Sequence, residues 1–176
     1  MNKIKRIFIW LGRLPYSYGF GIQSPTDYAF VREVVNEHGE YYAYQYFEKF
    51  EENALHKKLG KLYFRLANWR QPSKMMQDAY EKYWKAGCEK IQWMTLLDHL
   101  ELGRMLLVGD YREAFQRICG IVDNHSVLVI EGIYRDWDFW YEVEKDARTS
   151  VTFDLYYCGI VFFDKTRYKK NYKVNF

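Results

Sequence analysis

Cysteine is scarce in this 176-residue chain: Cys88, Cys119 and Cys158 are far apart and odd in number. None forms a CxxC pair, so neither a zinc site nor a disulfide framework is signalled. Reduced, buried thiols in a cytoplasmic protein are the expectation. An excess of one charge is also missing. The net charge of +3 gives no ground for nucleic-acid binding, which needs basic residues gathered on one face. Lys165 to Lys173 does hold five Lys or Arg residues, but they are interleaved with Tyr and Asn as along a solvated strand edge.

No apolar run reaches the length of a membrane span. The stretch MNKIKRIFIWLGRLP has the basic start of a signal peptide, yet its apolar run, Ile7 to Leu11, is too short, and Arg13 and Pro15 break the sequence just after it. Residues 1–14 therefore read as a short amphipathic helix that either docks on the body of the protein or touches a membrane surface. GxSxG, P-loop, HExxH and EF-hand spacings are absent. His38, His56, His99 and His125 stand singly, none with a cysteine or acid at ligand or nucleophile spacing. Repeats and low-complexity segments are lacking too.

Aromatic residues, in contrast, are abundant. The 17 Tyr, 12 Phe and 6 Trp make up a fifth of the chain, enough to build much of a core and to furnish a surface patch. Tyr41-Tyr42-Ala43-Tyr44 fits core packing or the lining of a pocket or partner surface. Exposed aromatics and an unpaired sheet edge together would suit an interaction module, as a homodimer.

The length suits one domain. Ser24-Pro25-Thr26-Asp27 is a strong helix start, with Ser24 as cap and proline at the first position. Helices are expected over 46–58 and 59–69, stopped by Arg70-Gln71-Pro72. Strands come next at 74–77, 90–96, 104–108 and 126–131, separated by helices at 79–86 and 111–122 and a turn at 97–102. After a helix at 135–147 come strands at 150–156, 159–164 and 171–176, the first two paired antiparallel through Cys158-Gly159. Alternating strands and helices predict an α/β fold with a mostly parallel sheet that the final hairpin makes mixed.

Four stretches, GFGIQSPTDYAFVREVV, EYYAYQ, LYFRLANWRQPS and VTFDLYYCGIVFFDKTRYKKNYKVNF, resemble in this order a bacterial group of class I S-adenosylmethionine-dependent methyltransferases, of the small O-methyltransferase type. The resemblance implies N-terminal helices over 1–70 leaning on a Rossmann-like core over 71–176, truncated by one βα unit. The missing strand is read as the third, since MLLVGDYREAF and SVLVIEGI resemble the family's fourth and fifth; a shifted alignment would make it the fourth.

The family places an acidic residue and glycines after its first strand, so that backbone can approach the cofactor. In PSKMMQDAYEKYWKAGC the matching positions are Gln77-Asp78-Ala79-Tyr80-Glu81-Lys82, without a glycine, and Tyr80 is large enough to fill the space. The ribose-binding acid is absent from the end of KIQWMTLL, with Asp98 arriving late and suited to cap a turn at 100–102. At the fourth strand Gly109 stands at the acid position, with Asp110 displaced by one and suited to cap the next helix. Glu131, a single carboxylate, makes a poor metal site. Gln23 stands where the family usually has His, and glutamine is no general base. The cofactor pocket of the family thus maps to Gln77, Asp78, Tyr80, Asp98 and Asp110. Loss of its motifs implies a degenerate, non-catalytic member that binds or scaffolds, with no cofactor. The alternative is an active enzyme with an altered S-adenosylmethionine pocket.

Overall fold

Between Ser126 and Glu131 the chain is purely apolar, and the reason is burial on both faces of a sheet. A computed structural model describes residues 3–50 and 53–176, the side chains of residues 3–6 and 50 excepted. Helices α1 (Lys3–Gly12), α2 (Pro25–Phe30), α3 (Tyr42–Phe50) and α4 (Ala54–Arg70) come first. Two strand–helix–strand units succeed them: β1 (Lys74–Met76), α5 (Glu81–Gly87) and β2 (Gln92–Met94), then β3 (Leu102–Leu106), α6 (Tyr111–Ile118) and β4 (Val127–Glu131). The chain closes with α7 (Trp137–Lys145), β5 (Val151–Asp154), β6 (Cys158–Phe162) and β7 (Lys170–Lys173).

The fold is mixed α/β. A five-stranded sheet has the order β3-β4-β6-β5-β7, and β1 pairs with β2 in a separate parallel ladder. β3 and β4 are parallel, as are β5 and β7, while β6 runs antiparallel to both of its neighbours. The parallel ladder is fastened beside β3 by Ser73, whose N–H donates to the Glu101 carboxylate at 2.8 Å.

Strand alternation sorts the core into two layers. Val127, Val129, Phe153 and Ile160 join α2 and α4 on one face, through Phe30, Leu62, Tyr63 and Leu66. Leu128, Ile130, Val161 and Phe163 face the other way and pack on Phe115 of α6 and on Phe139, Trp140 and Val143 of α7. Tyr41 and Tyr44 belong to the first layer through Phe64, whereas Tyr42 is exposed.

Several boundaries differ from expectation. The expected helix at 46–58 crosses residues 51 and 52, which lie outside the described residues, as do residues 1 and 2 of the expected 1–14 helix. The break between α3 and α4 falls before Ala54, where the Asn53 side chain accepts the N–H groups of Leu55 and His56 at 3.0 and 3.1 Å. The boundary expected between residues 58 and 59 lies inside α4. Gly60 beside it does not break the helix: a Cβ there would meet the Tyr83 ring at 2.4 Å, so the residue serves close packing of α4 on α5. No helical turn forms at 97–102, because Leu102 already opens β3. The Ser24 cap is present, accepting from the Asp27 N–H at 3.4 Å, and Gln71 ends α4 in the left-handed region at φ 53°.

The N-terminal segment is pinned to the sheet by a buried ion pair. Arg13 donates to the Asp154 carboxylate at 2.7 Å and to its backbone carbonyl at 2.6 Å, at the end of β5. Burial pushes the Arg13 pKa down, opposed by the Asp154 charge. Removing two such groups from water costs several kcal/mol each, so the pair fixes position more than it stabilises.

Trp140 presses on the middle of the sheet where β6 has no side chain to offer: a Cβ on Gly159 would lie 2.2 Å from the indole. Gly159→Ala is expected to lower unfolding free energy by about 1–3 kcal/mol through overpacking. Urea unfolding checks this, and a variant as stable as wild type would show that Trp140 yields without cost.

Candidate functional site

The turn from β1 into α5 is governed by Asp78. Its Oδ1 accepts the Tyr80 N–H at 2.7 Å and the Trp84 indole N–H at 3.1 Å, and its carbonyl accepts the Glu81 N–H at 3.2 Å. Of the donors that a helix start ordinarily presents to a ligand, the Tyr80 and Glu81 N–H groups are thus engaged by Asp78 and the Tyr83 N–H by the Tyr80 carbonyl.

The other carboxylate oxygen of Asp78 accepts from Arg104 Nε at 2.7 Å. Arg104 stands in the middle of β3, and its Nη1 donates to Glu131 Oε2, at the end of β4, at 2.9 Å. The Tyr63 hydroxyl, from α4, donates to the same oxygen at 2.7 Å. One guanidinium therefore bridges the ends of β1 and β4. Its side chain is 5% exposed, a burial that only paired charge tolerates.

Aromatic rings close over this bridge. The Tyr80 ring centre lies 4.8 Å from the guanidinium carbon, edge-on to Tyr63 at 4.7 Å and stacked on His56 at 4.0 Å. Trp84 stacks on the far side, on Tyr63 at 4.7 Å. Burial alone would lower the Arg104 pKa, but the Asp78 and Glu131 carboxylates outweigh it and hold the residue cationic. Burial raises the pKa of both Tyr63 and Tyr80, and the Glu131 charge acts in the same direction. The Tyr63 phenol is a neutral donor, and Asp78, Arg104, Glu131 and Tyr63 are joined to one another through their polar atoms.

Of the five residues mapped from the resemblance, Asp78 and Tyr80 meet in this cluster. Gln77 points to solvent, with its N–H on the Met94 carbonyl at 3.4 Å. Asp98 is exposed; it does not cap the expected turn, since the Leu100 N–H goes to the Ile121 carbonyl at 2.8 Å. Asp110 is also exposed and caps α6 by accepting the Glu113 N–H at 3.1 Å. Gln23 lines a separate cleft of about 270 Å³ with Asp27 and Arg167. Among the described residues no group of three His, Cys, Asp or Glu is placed to hold a metal.

Arg104, Tyr63 and His56 carry the cluster without standing out in the sequence as site residues, and Glu131 stands out there only as a lone metal-ligand candidate. The available signal is a charge at the head of the apolar run RMLLV, in a strand otherwise fit for burial. One cavity touches this cluster, and a second is lined by none of its residues. The first, of about 590 Å³, lies beside the turn, touching Tyr46, Phe47, His56, Asp78, Ala79 and Tyr83. The second, of about 420 Å³, lies between α1 and the Leu155-Tyr156-Tyr157 turn. Compared with known proteins, the chain matches no family model, no curated protein and no solved structure.

Arg104→Ala leaves two partly buried carboxylates without their cation, and is expected to cost about 3–5 kcal/mol in urea unfolding. A cost below about 1 kcal/mol, the range of exposed pairs, would contradict the burial argument. A second expectation concerns alkali. Tyr63 and Tyr80 bind their protons more tightly folded than unfolded. Their contribution is complete below the ordinary tyrosine pKa of about 10 and is lost as pH rises toward the folded values. Between about pH 9 and 11 the Tm of the wild type should fall more steeply than that of a Tyr63→Phe/Tyr80→Phe variant. Equal slopes would remove these phenols from the alkaline response.

Proposed function

We propose that the chain is a methyltransferase-like protein of the class I S-adenosylmethionine-dependent fold that has given up catalysis and acts by binding or scaffolding. The strand arrangement supports the fold reading. β2 pairs with β1, β1 lies beside β3, and β4, β6 and β5 come after, with β6 antiparallel. Read across the gap between the two ladders, this order is similar to that of a doubly wound sheet without its third strand, with β6 as an antiparallel insertion and β7 as an added parallel edge strand beside β5.

The observation that carries the functional reading is the Asp78–Arg104–Glu131 bridge in the crevice where strand ends meet the turn after β1. A cofactor with a carboxylate would need free N–H donors and positive potential at that turn. Here the Tyr80 and Glu81 donors are taken by Asp78, two carboxylates face a single guanidinium, and the buried Tyr80 ring lies over that guanidinium. Opening the crevice would strand buried charge.

A second reading is an active methyltransferase with an altered pocket. The cavity of about 590 Å³ that reaches Asp78 and Ala79 favours it, because a ligand could enter beside the turn instead of across it. For self-association as a homodimer, the β7 edge is a poor surface: Lys170 and Lys173 are exposed along it and oppose edge-to-edge pairing.

Calorimetric titration with S-adenosylmethionine and S-adenosylhomocysteine separates the two readings. No heat at millimolar ligand is expected. Micromolar binding would overturn the non-catalytic reading and transfer the cofactor to the altered pocket.

A further inference from the structure

Helix α1 contains IFIWL, five consecutive apolar residues, Ile7 to Leu11. A helix docked on a protein body covers its apolar face, but this one does not. Ile7, Phe8, Trp10 and Leu11 are 57%, 69%, 50% and 46% exposed, and only Ile9 among the five is half-buried. Leu14 extends the stripe at the i+7 position from Ile7 and is 43% exposed. Ile7, Ile9 and Trp10 line the cavity of about 420 Å³ between the helix and the Leu155-Tyr156-Tyr157 turn, whereas Phe8 and Leu11 take no part in it. The segment is held chiefly by Arg13 on Asp154.

The charge of the segment itself has one sign. Lys3, Lys5 and Arg6 precede it, and the first acidic residue of the sequence is Asp27, which is buried and paired with Arg167. Across the shared cavity stands Lys58; just beyond α1, Lys173 lies over the Tyr16 ring. Of the acids on that side, Asp154 is paired with Arg13 and Glu144 interacts with Asp154, Lys169 and Lys173.

We propose that α1 is an interfacial anchor that lays Phe8 and Leu11, flanked by the exposed parts of Ile7 and Trp10 at the cavity edge, into the headgroup boundary of an anionic lipid bilayer, with the cationic start of the segment drawn to lipid phosphate. Apolar and aromatic side chains beside clustered Lys and Arg, without acids, are the composition that binds such a surface. A second copy covering the same stripe would bring the same positive charge and no acid from this segment to meet it. The helix, at 10 residues, lies on the membrane and does not cross it. The anchor is independent of whether the crevice at Asp78 admits a cofactor.

Co-sedimentation of the full chain with phosphatidylcholine vesicles, with and without about one-quarter phosphatidylglycerol, tests this. Binding to the anionic vesicles is expected to exceed binding to neutral ones by about ten-fold or more and to be released by about 0.5 M salt. Lys3→Gln/Lys5→Gln/Arg6→Gln should weaken it by roughly five-fold per residue. Phe8→Glu/Leu11→Glu should abolish it with an unchanged circular-dichroism melt, and Tyr168→Glu, at a residue 90% exposed elsewhere, should leave it intact. No binding at low salt, equal binding to both vesicle types, or binding indifferent to Phe8→Glu/Leu11→Glu would overturn the anchor. So would light scattering in which that double variant converts a dimer to a monomer while vesicles capture neither, since a second copy would then cover the stripe.

Discussion

The buried guanidinium of Arg104 is the constraint around which one end of the sheet is arranged. It reaches from the centre of β3 to a carboxylate after β1 and another at the end of β4, so three strand positions are set by one planar cation. A guanidinium suits this better than an ammonium would, because its fork directs two donors along fixed lines. Coulomb attraction between such groups is repaid against a desolvation cost of similar size, so the gain in net stability is small. The gain in specificity is larger. Any register in which β1 or β4 slips by a residue leaves a charge in a low-dielectric site without its partner.

The wealth of aromatic residues divides along the same lines. Tyr63, Tyr80, Trp84 and His56 form a roof over the bridge and keep water from it. On the same sheet face, Phe30 meets both Phe153 and Phe162 at 5.1 Å, which draws α2 onto β5 and β6. Trp140 fills the opposite layer against Gly159. Other large rings stand outside the core, with Phe8, Trp10 and Phe20 at the surface of the first twenty residues. Composition alone announces both a core and a surface patch; the fold decides which ring does which.

The legible part of the sequence is local. SVLVIE fits a strand covered on both sides, Ser24-Pro25 a capped helix start, and the runs on either side of residue 157 an antiparallel pair, because each rests on neighbours in the chain. Asp110 as a cap belongs to the same class. The turn of that antiparallel pair, however, falls at Leu155-Tyr156-Tyr157, and Cys158-Gly159 already belongs to β6. The bridge is illegible for the opposite reason: Arg104 is 26 residues from Asp78 and 27 from Glu131, and no periodicity links them. Asp98 misleads because an acid before a short apolar run resembles a cap, whereas the backbone there is drawn to Ile121. The α3–α4 break is displaced because the signal for it is the Asn53 cap, while the continuity of α4 through Gly60 depends on the Tyr83 ring, distant in sequence, that occupies the place of the missing side chain.

The Arg13–Asp154 pair joins residues 141 apart in the chain. On a ribosome adding 5–20 residues each second, Arg13 precedes its partner by roughly 7–30 s. Throughout that interval the first helix, apolar along IFIWL and cationic before it, has nothing on the sheet to hold it. Folding order therefore leaves this segment exposed to its surroundings until β5 has been synthesised and can tether it.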